Sequence, residues 1–237
     1  MTATVTRFAD RARRVRGTRR RRTAAWAAAP VLAVVALIAL ALSPALDVET
    51  VRVVGTQRLP QRQVRQAAAI KPGVALALVD VDEVRRRVAE LPYVRSVSVR
   101  REWPSGLVLR VVERVPALAV PAAVGVALYD AEGVRLGGAR TVPRGVPLLR
   151  VAGGRPSPEL VRAVVDVVGS VPEQVRSQVL GYSATSPDEV MFTLSGGREV
   201  VWGSSDDGRD KAAVLLALLR RPGSHYDVRA PGAPAVR

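Results

Sequence analysis

The feature that most constrains this chain is a long apolar run early in the sequence. Residues 24–42 carry no charged side chain, and the four arginines Arg19, Arg20, Arg21 and Arg22 come directly before them. Extended to residue 46, the run would form a helix of roughly 34 Å, which is long enough to cross the hydrocarbon core of a bilayer. The sequence therefore predicts a single transmembrane helix over residues 24–46.

The charges before this run predict its orientation. Residues 1–23 contain nine arginines and one acid, Asp10. Because positive charge is retained on the cytoplasmic side, we predict that residues 1–23 are cytoplasmic and that the chain from residue 47 onward is outside. The arginines at 19–22 are expected to orient the helix by contacting anionic head groups of the lipid bilayer. The arginine tail shows no fold that reads nucleic acid, so no nucleic-acid partner is predicted.

A cleaved signal peptide is the alternative interpretation of the same run. Ala39-Leu40-Ala41 matches a small-x-small cleavage site, and paired arginines before an apolar stretch also occur in twin-arginine export signals. The run is longer than the apolar region of most signal peptides, which favours an uncleaved anchor. A mature protein beginning near Leu42 would identify the signal peptide instead.

Residues that could carry catalysis are few and are not arranged for it. The chain has no cysteine, which excludes disulfides and thiolate chemistry. Its single histidine, His225, lies in a Pro-Gly-Ser-His segment typical of a loop, and no G-x-S-x-G turn presents a serine nucleophile. We therefore predict that the protein is not an enzyme and binds neither a cofactor nor a metal.

Small and acidic residues at 203–210 are best explained as the start of a helix. The segment faintly resembles a phosphate-binding loop, but it lacks the Lys-Ser/Thr pair, and Asp206 and Asp207 would repel phosphate. These two acids are predicted to cap the helix and to complement its dipole. The same cluster could be proposed as a divalent metal site, but it has no regular ligand spacing to support one. Lys211 is predicted to lie at the surface or to contact a partner.

The pattern of apolar residues over 47–116 predicts the order β-α-α-β-β. Asp80 is expected to cap the second helix, and Pro and Gly residues punctuate the segment between the elements. Two helices of this kind need one face of a small sheet to cover. The predicted elements are a strand at 48–54, helices at 59–70 and 81–91, and strands at 93–101 and 107–115.

Residues 117–237 predict a second, β-rich domain with packed helices, so the fold class is α+β. A helix is expected to begin at Ser157, with Pro158 in its first turn. The other predicted elements are a hairpin over 124–136, a Pro-rich link at 143–151, strands at 179–184, 190–194 and 199–202, a helix at 206–221, and a final short exposed strand at 226–229.

Three motifs resemble the FtsQ/DivIB family of bacterial cell-division proteins. The first is K-P-G-V-A-L-A-L-V-D at 71–80, and the second runs from Leu-Pro-Tyr-Val at 91–94 through Arg-Glu-Trp-Pro at 101–104 to Glu-Arg-x-Pro at 113–116. The third is R-E-V-V-W-G-S-S-D-D at 198–207, followed by Lys211 and by Tyr-Asp-Val at 226–228. The resemblance identifies residues 47–116 as a POTRA domain and residues 117–237 as the β domain of that family. The arginine-rich, Ala- and Val-rich composition also suggests a GC-rich bacterium.

The resemblance implies a scaffold in the divisome, the assembly that divides the cell. Such a protein would sit in the cell membrane at the division septum, spanning it once. Its POTRA domain would help recruit it through other divisome proteins, and its β domain would hold the extracytoplasmic segments of FtsB- and FtsL-type partners. A POTRA-type chaperone or secretion subunit that binds extended clients remains an alternative, and a cell-wall enzyme would need a catalytic constellation.

Partner binding is predicted at the exposed end of the β-domain sheet. A short exposed strand can accept a partner strand through main-chain hydrogen bonds. Pro231 and Pro234 follow this strand, and because proline cannot donate to a ladder they are expected to shorten the usable edge. The predicted partner-binding residues are Arg198, Val200, Trp202, Tyr226, Asp227, Val228, Arg229, Ala230 and Gly232.

Overall fold

A computed structural model describes residues 30–37, 39, 43 and 46–237. The predicted cytoplasmic tail, with Arg19, Arg20, Arg21 and Arg22, lies outside the described residues, as does part of the predicted transmembrane segment 24–46. Residues 30–37 are helical. Within the described part of the chain, no helix combines the length and the apolar character needed to cross a membrane.

Contacts within the chain group it into two compact units. The first comprises the described residues up to Thr56, together with Pro60–Val88 and Val97–Val111. The second comprises Gln57–Leu59, Ala89–Ser96 and Val112–Arg237.

The predicted order β-α-α-β-β is confirmed in the first part of the described chain. A three-stranded sheet has the order β1-β3-β2, in which β1 runs parallel to β3 and pairs Val51 with Leu107 and Val53 with Leu109. The elements are β1 (Thr50–Val54), α1 (Gln61–Ala68), a 3-10 helix (Leu76–Leu78), α2 (Val81–Ala89), β2 (Val94–Glu102) and β3 (Gly106–Glu113).

Apolar and charged side chains alternate along β3, so only one face of this sheet is apolar and is covered by the helices. Leu107, Leu109 and Val111 are buried, whereas Arg110 between them is exposed. Val64 of α1 and Val84 of α2 are also buried and supply the facing helical stripes. The sheet therefore buries one face beneath two amphipathic helices, as the spacing predicted.

The start of α2 shows the predicted cap. One carboxylate oxygen of Asp80 accepts the backbone N–H groups of Asp82 and Glu83, at 3.0 and 2.9 Å. These bonds satisfy two donors that a helix terminus otherwise leaves unpaired. They also place the pKa of the Asp80 carboxyl below its usual value, with the bond from Glu83 as the largest cause.

Two features between α1 and β2 were not predicted. Residues predicted as a loop through Leu76 and Leu78 form the short 3-10 helix. Arg101 of β2 holds it, because its guanidinium donates to the carbonyl oxygens of Leu76 at 2.9 Å and Val79 at 2.7 Å.

The second unit contains two further sheets. A three-stranded antiparallel sheet has the order β4-β5-β6, with strands Leu118–Pro121, Val126–Tyr129 and Arg135–Ala139. A six-stranded sheet has the order β12-β11-β10-β9-β8-β7. Its strands are β7 (Leu149–Val151), β8 (Val179–Ala184), β9 (Val190–Leu194), β10 (Glu199–Gly203), β11 (His225–Asp227) and β12 (Ala235–Val236).

Three helices accompany the six-stranded sheet: α3 (Pro158–Ser170), α4 (Glu173–Arg176) and α5 (Gly208–Leu218). The hydroxyl of Ser157 accepts the N–H of Leu160 at 3.2 Å, which confirms the predicted cap of α3. Val161 and Val164 of α3, Leu215 of α5 and the aromatic rings of the sheet share one core. In this core the ring centroids of Tyr182 and Phe192 lie 5.5 Å apart, and those of Phe192 and Trp202 lie 6.1 Å apart.

The predicted elements that proved wrong are short or lie at element ends. Residues 149–151, predicted within an irregular link, form β7, because they pair in parallel with β8. The strand predicted as the final one is β11, and it is not at the edge, because β12 pairs with it beyond Pro234. Strand β4 and helix α4 were also missed. Each is only four residues long, which is too short for a periodic pattern to be recognised.

The acids before α5 do not cap it as predicted. Asp207 occupies the N-cap position with a left-handed backbone (φ 53°) and makes no side-chain cap bond. Asp206 instead accepts the hydroxyl of Ser204 at 3.2 Å. Lys211 is also not a surface residue. It is 2% exposed, and its ammonium donates to the carbonyl oxygen of Ser204 at 3.0 Å.

Candidate functional site

The candidate site is the edge of the six-stranded sheet formed by β10, β11 and β12. Strand β11 runs parallel to β10, with Glu199 opposite His225 and Val200 opposite Tyr226. Strand β12 runs antiparallel to β11, with Val236 opposite Tyr226. A turn over residues 230–233, closed by the N–H of Ala233 bonding to the carbonyl of Ala230 at 3.0 Å, connects these two strands.

The hydrogen bonds of β11 and β12 determine which backbone groups face outward. His225 and Arg237 exchange two bonds of 2.9 Å, each donating its N–H to the carbonyl of the other. In an antiparallel pair such residues alternate with pairs whose backbone groups point away from each other. The N–H and C=O of Val236 therefore point to the open side of the sheet. We call this open side of β12, with the turn 230–234, the β12 edge.

Proline limits what the β12 edge can offer. By the same alternation, Pro234 also directs its backbone outward, but it has only a carbonyl to present. The prolines were predicted to shorten the edge, and within β12 they leave Val236 as the outward N–H donor. The strand resumes directly after Pro234, so the turn adds a strand to the sheet rather than ending it.

Four of the predicted partner-binding side chains lie in the core beneath this edge. Val200, Trp202, Tyr226 and Val228 are each at most 1% exposed. The Tyr226 hydroxyl is a hydrogen-bond donor to the segment before β11. The two acceptors within reach are the carbonyl oxygens of Arg221 and Gly223, each 3.0 Å from the hydroxyl oxygen. The indole N–H of Trp202 has no acceptor among the described residues. These side chains fix the position of β11, and a partner would not touch them in this conformation.

The other five predicted residues are at least partly exposed. Asp227, Arg229, Ala230 and Gly232 lie on β11 and the turn that follows it, whereas Arg198 lies in the turn before β10. Arg198 donates to the side-chain oxygen of Gln178 at 2.9 Å. The structure therefore brings four of the five together and places Arg198 beside the start of β8.

Asp227 and Arg229 form a charged pair beside the β12 edge, on β11 and the segment that follows it. The guanidinium of Arg229 contacts both carboxylate oxygens of Asp227 through bonds of 2.6–3.1 Å. This contact is the largest cause that holds the pKa of Asp227 below its usual value, and burial only partly opposes it. Beside it, His225 Nδ1 lies 3.6 Å from a carboxylate oxygen of Glu199.

Sequence reasoning missed Ala235 and Val236, which form the edge strand itself. Two residues between Pro234 and Arg237 carry no periodic pattern. Only the structure reveals the relation of this strand to Gly223. A Cβ atom at that position would lie 2.4 Å from a methyl carbon of Val236, so a glycine is needed where β12 packs against the turn.

The Glu-Arg pair at 113–114, quoted above as part of a motif, has a structural explanation. The Glu113 carboxylate accepts the backbone N–H groups of Gln57, Arg58 and Leu59 at 2.8–3.1 Å. Burial opposes ionisation of Glu113, but these donors prevail and hold its pKa below the usual value. Arg114 bonds to the buried Asp130 at 2.5 Å.

Residues considered for catalysis are dispersed in the structure. In the part of the chain that the structure describes, no group of three or more His, Cys, Asp or Glu residues could hold a metal ion. His225 pairs with Glu199 on β10, while Asp206 bonds to Ser204 in the segment before α5.

Comparison with known proteins identifies the family. The family model described as "POTRA domain, FtsQ-type" matches residues 46–114. The protein named Cell division protein FtsQ of Streptomyces bingchenggensis is 42% identical over 201 residues, which cover 81% of this chain and 76% of the relative. The chain belongs to the FtsQ family. The family assignment made from the sequence is therefore confirmed.

Other FtsQ relatives extend the same result. The FtsQ of Streptomyces griseus is 37% identical over 204 residues, which cover 81% of this chain and 97% of the relative. The FtsQ of Mycolicibacterium smegmatis is 38% identical over 213 residues, covering 90% of this chain. That match spans only 64% of the mycobacterial protein, so the chain covers less than two thirds of that relative. These relatives come from GC-rich genera, in agreement with the composition.

Proposed function

We propose that this protein is a non-enzymatic scaffold of the divisome. Residues 24–46 anchor it in the cell membrane, residues 1–23 lie in the cytoplasm, and the two domains from residue 47 onward act outside, at the septum. The β domain holds FtsB- and FtsL-type segments, and the POTRA domain binds other divisome proteins. Membership of a cell-division family and the arginine-flanked apolar run support this proposal.

The observation that carries the proposal is the outward backbone of Val236 on the β12 edge. An extended partner segment can pair there by strand addition, in which main-chain bonds supply affinity and side chains supply selectivity. The ion pair of Asp227 and Arg229, with Ala230 and Gly232, lies on the adjoining strand and turn and would contact such a segment. Val200, Trp202, Tyr226 and Val228 would contribute by holding β11 in place, and Arg198 would contact only a partner that extends toward β8.

A substitution of Val236 tests strand addition. Val236→Pro removes the outward N–H and places a ring where the partner strand would pair, yet an edge strand tolerates proline on its solvent side. We expect capture of co-expressed FtsB- and FtsL-type partners to fall at least tenfold in a pull-down from membranes. Val236→Ala is the matched control, because it shortens the side chain and keeps the N–H, and it should retain binding.

Unchanged capture by Val236→Pro, with a thermal midpoint equal to that of Val236→Ala, would refute the β12 edge as the partner site. Deletion of residues 225–237 is a poorer test, because it also removes Tyr226 and Val228 from the core. A chaperone or secretion subunit would bind unrelated extended peptides as tightly as the division partners. Competition by such peptides would therefore favour that alternative.

A further inference from the structure

The end of the first unit that lies nearest the proposed anchor is built from two loops. The chain enters the unit between them and is held on both sides by backbone hydrogen bonds. The N–H of Val48 donates to the carbonyl oxygen of Val74 at 2.9 Å, and the N–H of Glu49 donates to the carbonyl oxygen of Ser105 at 2.9 Å. We call these two loops, residues 74–78 and 103–105, the tethered end.

The entering chain is too short to hold the tethered end far from a bilayer. The apolar run ends at Leu46, and the next residue, Asp47, already pairs with Ala75. Ser105 is reached after the three residues 47–49, which span about 10 Å at most. The head-group region on each side of the hydrocarbon core is itself about 5–7 Å thick. With residues 24–46 as the anchor proposed above, on which this inference rests, the tethered end lies at the membrane surface.

Two large hydrophobic side chains are exposed at the tethered end. Leu78 is 66% exposed and Trp103 is 56% exposed. In the part of the first unit that the structure describes after Leu46, no other large hydrophobic residue is exposed to this degree. Tryptophan and other amphipathic or apolar side chains of this kind are enriched where a protein meets the boundary between membrane and water.

A shallow depression joins Trp103 to the 3-10 helix. Arg101, one of its lining residues, fixes the two loops together through its bonds to the carbonyl oxygens of Leu76 and Val79. Arg100 also lines it and is exposed, and its guanidinium has no hydrogen-bond or ion-pair partner among the described residues. An unpaired guanidinium beside an indole ring suits a lipid head group, whose phosphate it can contact.

Charge alone would not hold this end on a membrane, because groups of both signs surround the two apolar side chains. Near the tethered end lie the cations Arg52, Lys71 and Arg100 and the carboxylates Asp47, Glu49 and Glu102. Glu102 pairs with Arg52 at 3.7 Å, and Glu49 accepts the hydroxyl of Ser105 at 3.3 Å. Burial of Leu78 and Trp103 would therefore supply most of the attraction, and the bilayer is the apolar phase that the tether already places beside them.

We propose that the tethered end rests on the outer surface of the membrane. The Trp103 indole and the Leu78 side chain insert among the lipid head groups, and the Arg100 guanidinium contacts their phosphates. This contact fixes the direction in which the first unit projects from the membrane. It uses residues of the first unit, whereas the β12 edge belongs to the second.

Quenching of tryptophan fluorescence by brominated lipids tests the proposal, because the three tryptophans of the chain report on different places. Trp26 lies in the proposed anchor, Trp103 lies at the tethered end, and Trp202 is fully buried. The full chain is placed in phosphatidylcholine nanodiscs whose acyl chains carry bromine near the head group or carry none. The Trp103 signal is the difference between the Trp26→Phe and the Trp26→Phe/Trp103→Phe proteins. We expect bromine to lower this signal at least twofold, equally at low and at high salt.

A charge placed at the tethered end should weaken the contact. Leu78→Glu, in the Trp26→Phe protein, puts a carboxylate where an apolar side chain would insert, so we expect it to reduce the quenching of Trp103 at least twofold. Gln61→Glu is the matched control. It adds the same charge at an exposed position at the start of α1, beyond the end of β1 that leads away from the anchor, and it should leave the quenching unchanged.

Quenching of Trp26, taken as the difference between the wild type and Trp26→Phe, reports on the anchor separately. A quenched Trp26 with an unquenched Trp103 would overturn the membrane contact and leave the anchor standing. If neither is quenched, the anchor and the contact both fail. A Trp103 emission that lipid leaves unquenched, and that shifts to the blue only when FtsB- and FtsL-type partners are added to the nanodiscs, would overturn the bilayer in favour of a protein surface.

Discussion

The two lysines of this arginine-rich chain occupy opposite environments. Lys71 is exposed directly before the turn at Pro72 and Gly73, whereas Lys211 is buried in α5 with its ammonium bonded to the carbonyl oxygen of Ser204. A buried ammonium is costly unless its donors are satisfied, and this bond also fixes the segment between β10 and α5. The lysine of the third motif therefore has a structural role in the second unit.

Replacing each lysine by methionine measures that role. Lys211→Met keeps the aliphatic stem but leaves the Ser204 carbonyl without its donor. We expect the free energy of unfolding to fall by about 1–3 kcal/mol. Lys71→Met is the matched control and should change it by less than about 0.5 kcal/mol. Chemical denaturation measures both, and an unchanged Lys211→Met would contradict the structural role.

Glu113 predicts a dependence of stability on pH. Because its folded-state pKa is lowered, its contribution is complete above the unfolded pKa of about 4.3 and is lost as pH falls through the folded value. Glu113→Gln should therefore destabilise the protein at pH 7, by about 1–3 kcal/mol. The difference from the wild type should shrink as pH falls below 4.

Glu90→Gln, at an exposed position, is the control for this measurement. Unfolding curves at several pH values provide the comparison. A destabilisation by Glu113→Gln that stays constant down to pH 3 would show that its carboxylate charge is not what stabilises the fold.

At the scale of elements, two helices preceded by aspartate begin in different ways. Asp80 accepts two backbone N–H groups at the start of α2, whereas Asp207 stands in the left-handed region before α5 and makes no cap bond. A non-glycine residue in that region is strained, and glycine relieves the strain.

These two positions should respond oppositely to substitution. Asp80→Ala should lower the free energy of unfolding by about 1 kcal/mol, through loss of the cap. Asp207→Gly should leave it unchanged or raise it by up to about 1 kcal/mol, because the native φ of 53° suits glycine. Thermal unfolding of both variants measures these changes in stability. A loss of stability in Asp207→Gly would show that the Asp207 side chain stabilises the fold.

The accuracy with which a helix or strand could be predicted depended on the length of that element and on the strands that it pairs with. Strands β8, β9 and β10 and the start of helix α3 were predicted within one residue, because buried residues alternate within each strand and cap residues mark the helix start. Strand β7 owes its existence to pairing with β8, which no local pattern encodes. The same holds for β12, so the edge that matters most to the candidate site was the part that sequence could not predict.

For the whole molecule, the proposed arrangement of an anchor, a POTRA domain and a β domain makes a prediction about cellular location. A fluorescent protein fused before residue 1 should fold, because the positive-inside rule places that end in the cytoplasm. We expect its signal to form a band at the constriction site of dividing cells. Alkaline extraction of membranes tests the anchor separately. An anchored protein should stay in the membrane fraction at full length.

An even envelope signal throughout division would count against the divisome proposal and in favour of a chaperone or secretion role. Recovery of a soluble product beginning near Leu42 would instead identify residues 24–42 as a cleaved signal peptide. The two failures are distinguishable, because only the second changes the mass of the mature protein.

The proline before β12 has a consequence for self-association. Unprotected sheet edges recruit further copies of themselves and grow into fibrils, a hazard that rises where a protein is concentrated in a small area. An edge with one outward N–H, at Val236, and a proline beside it cannot propagate such growth. In the scaffold role proposed above, the same sparse edge would let crowded molecules stay dispersed while each pairs with a single partner strand.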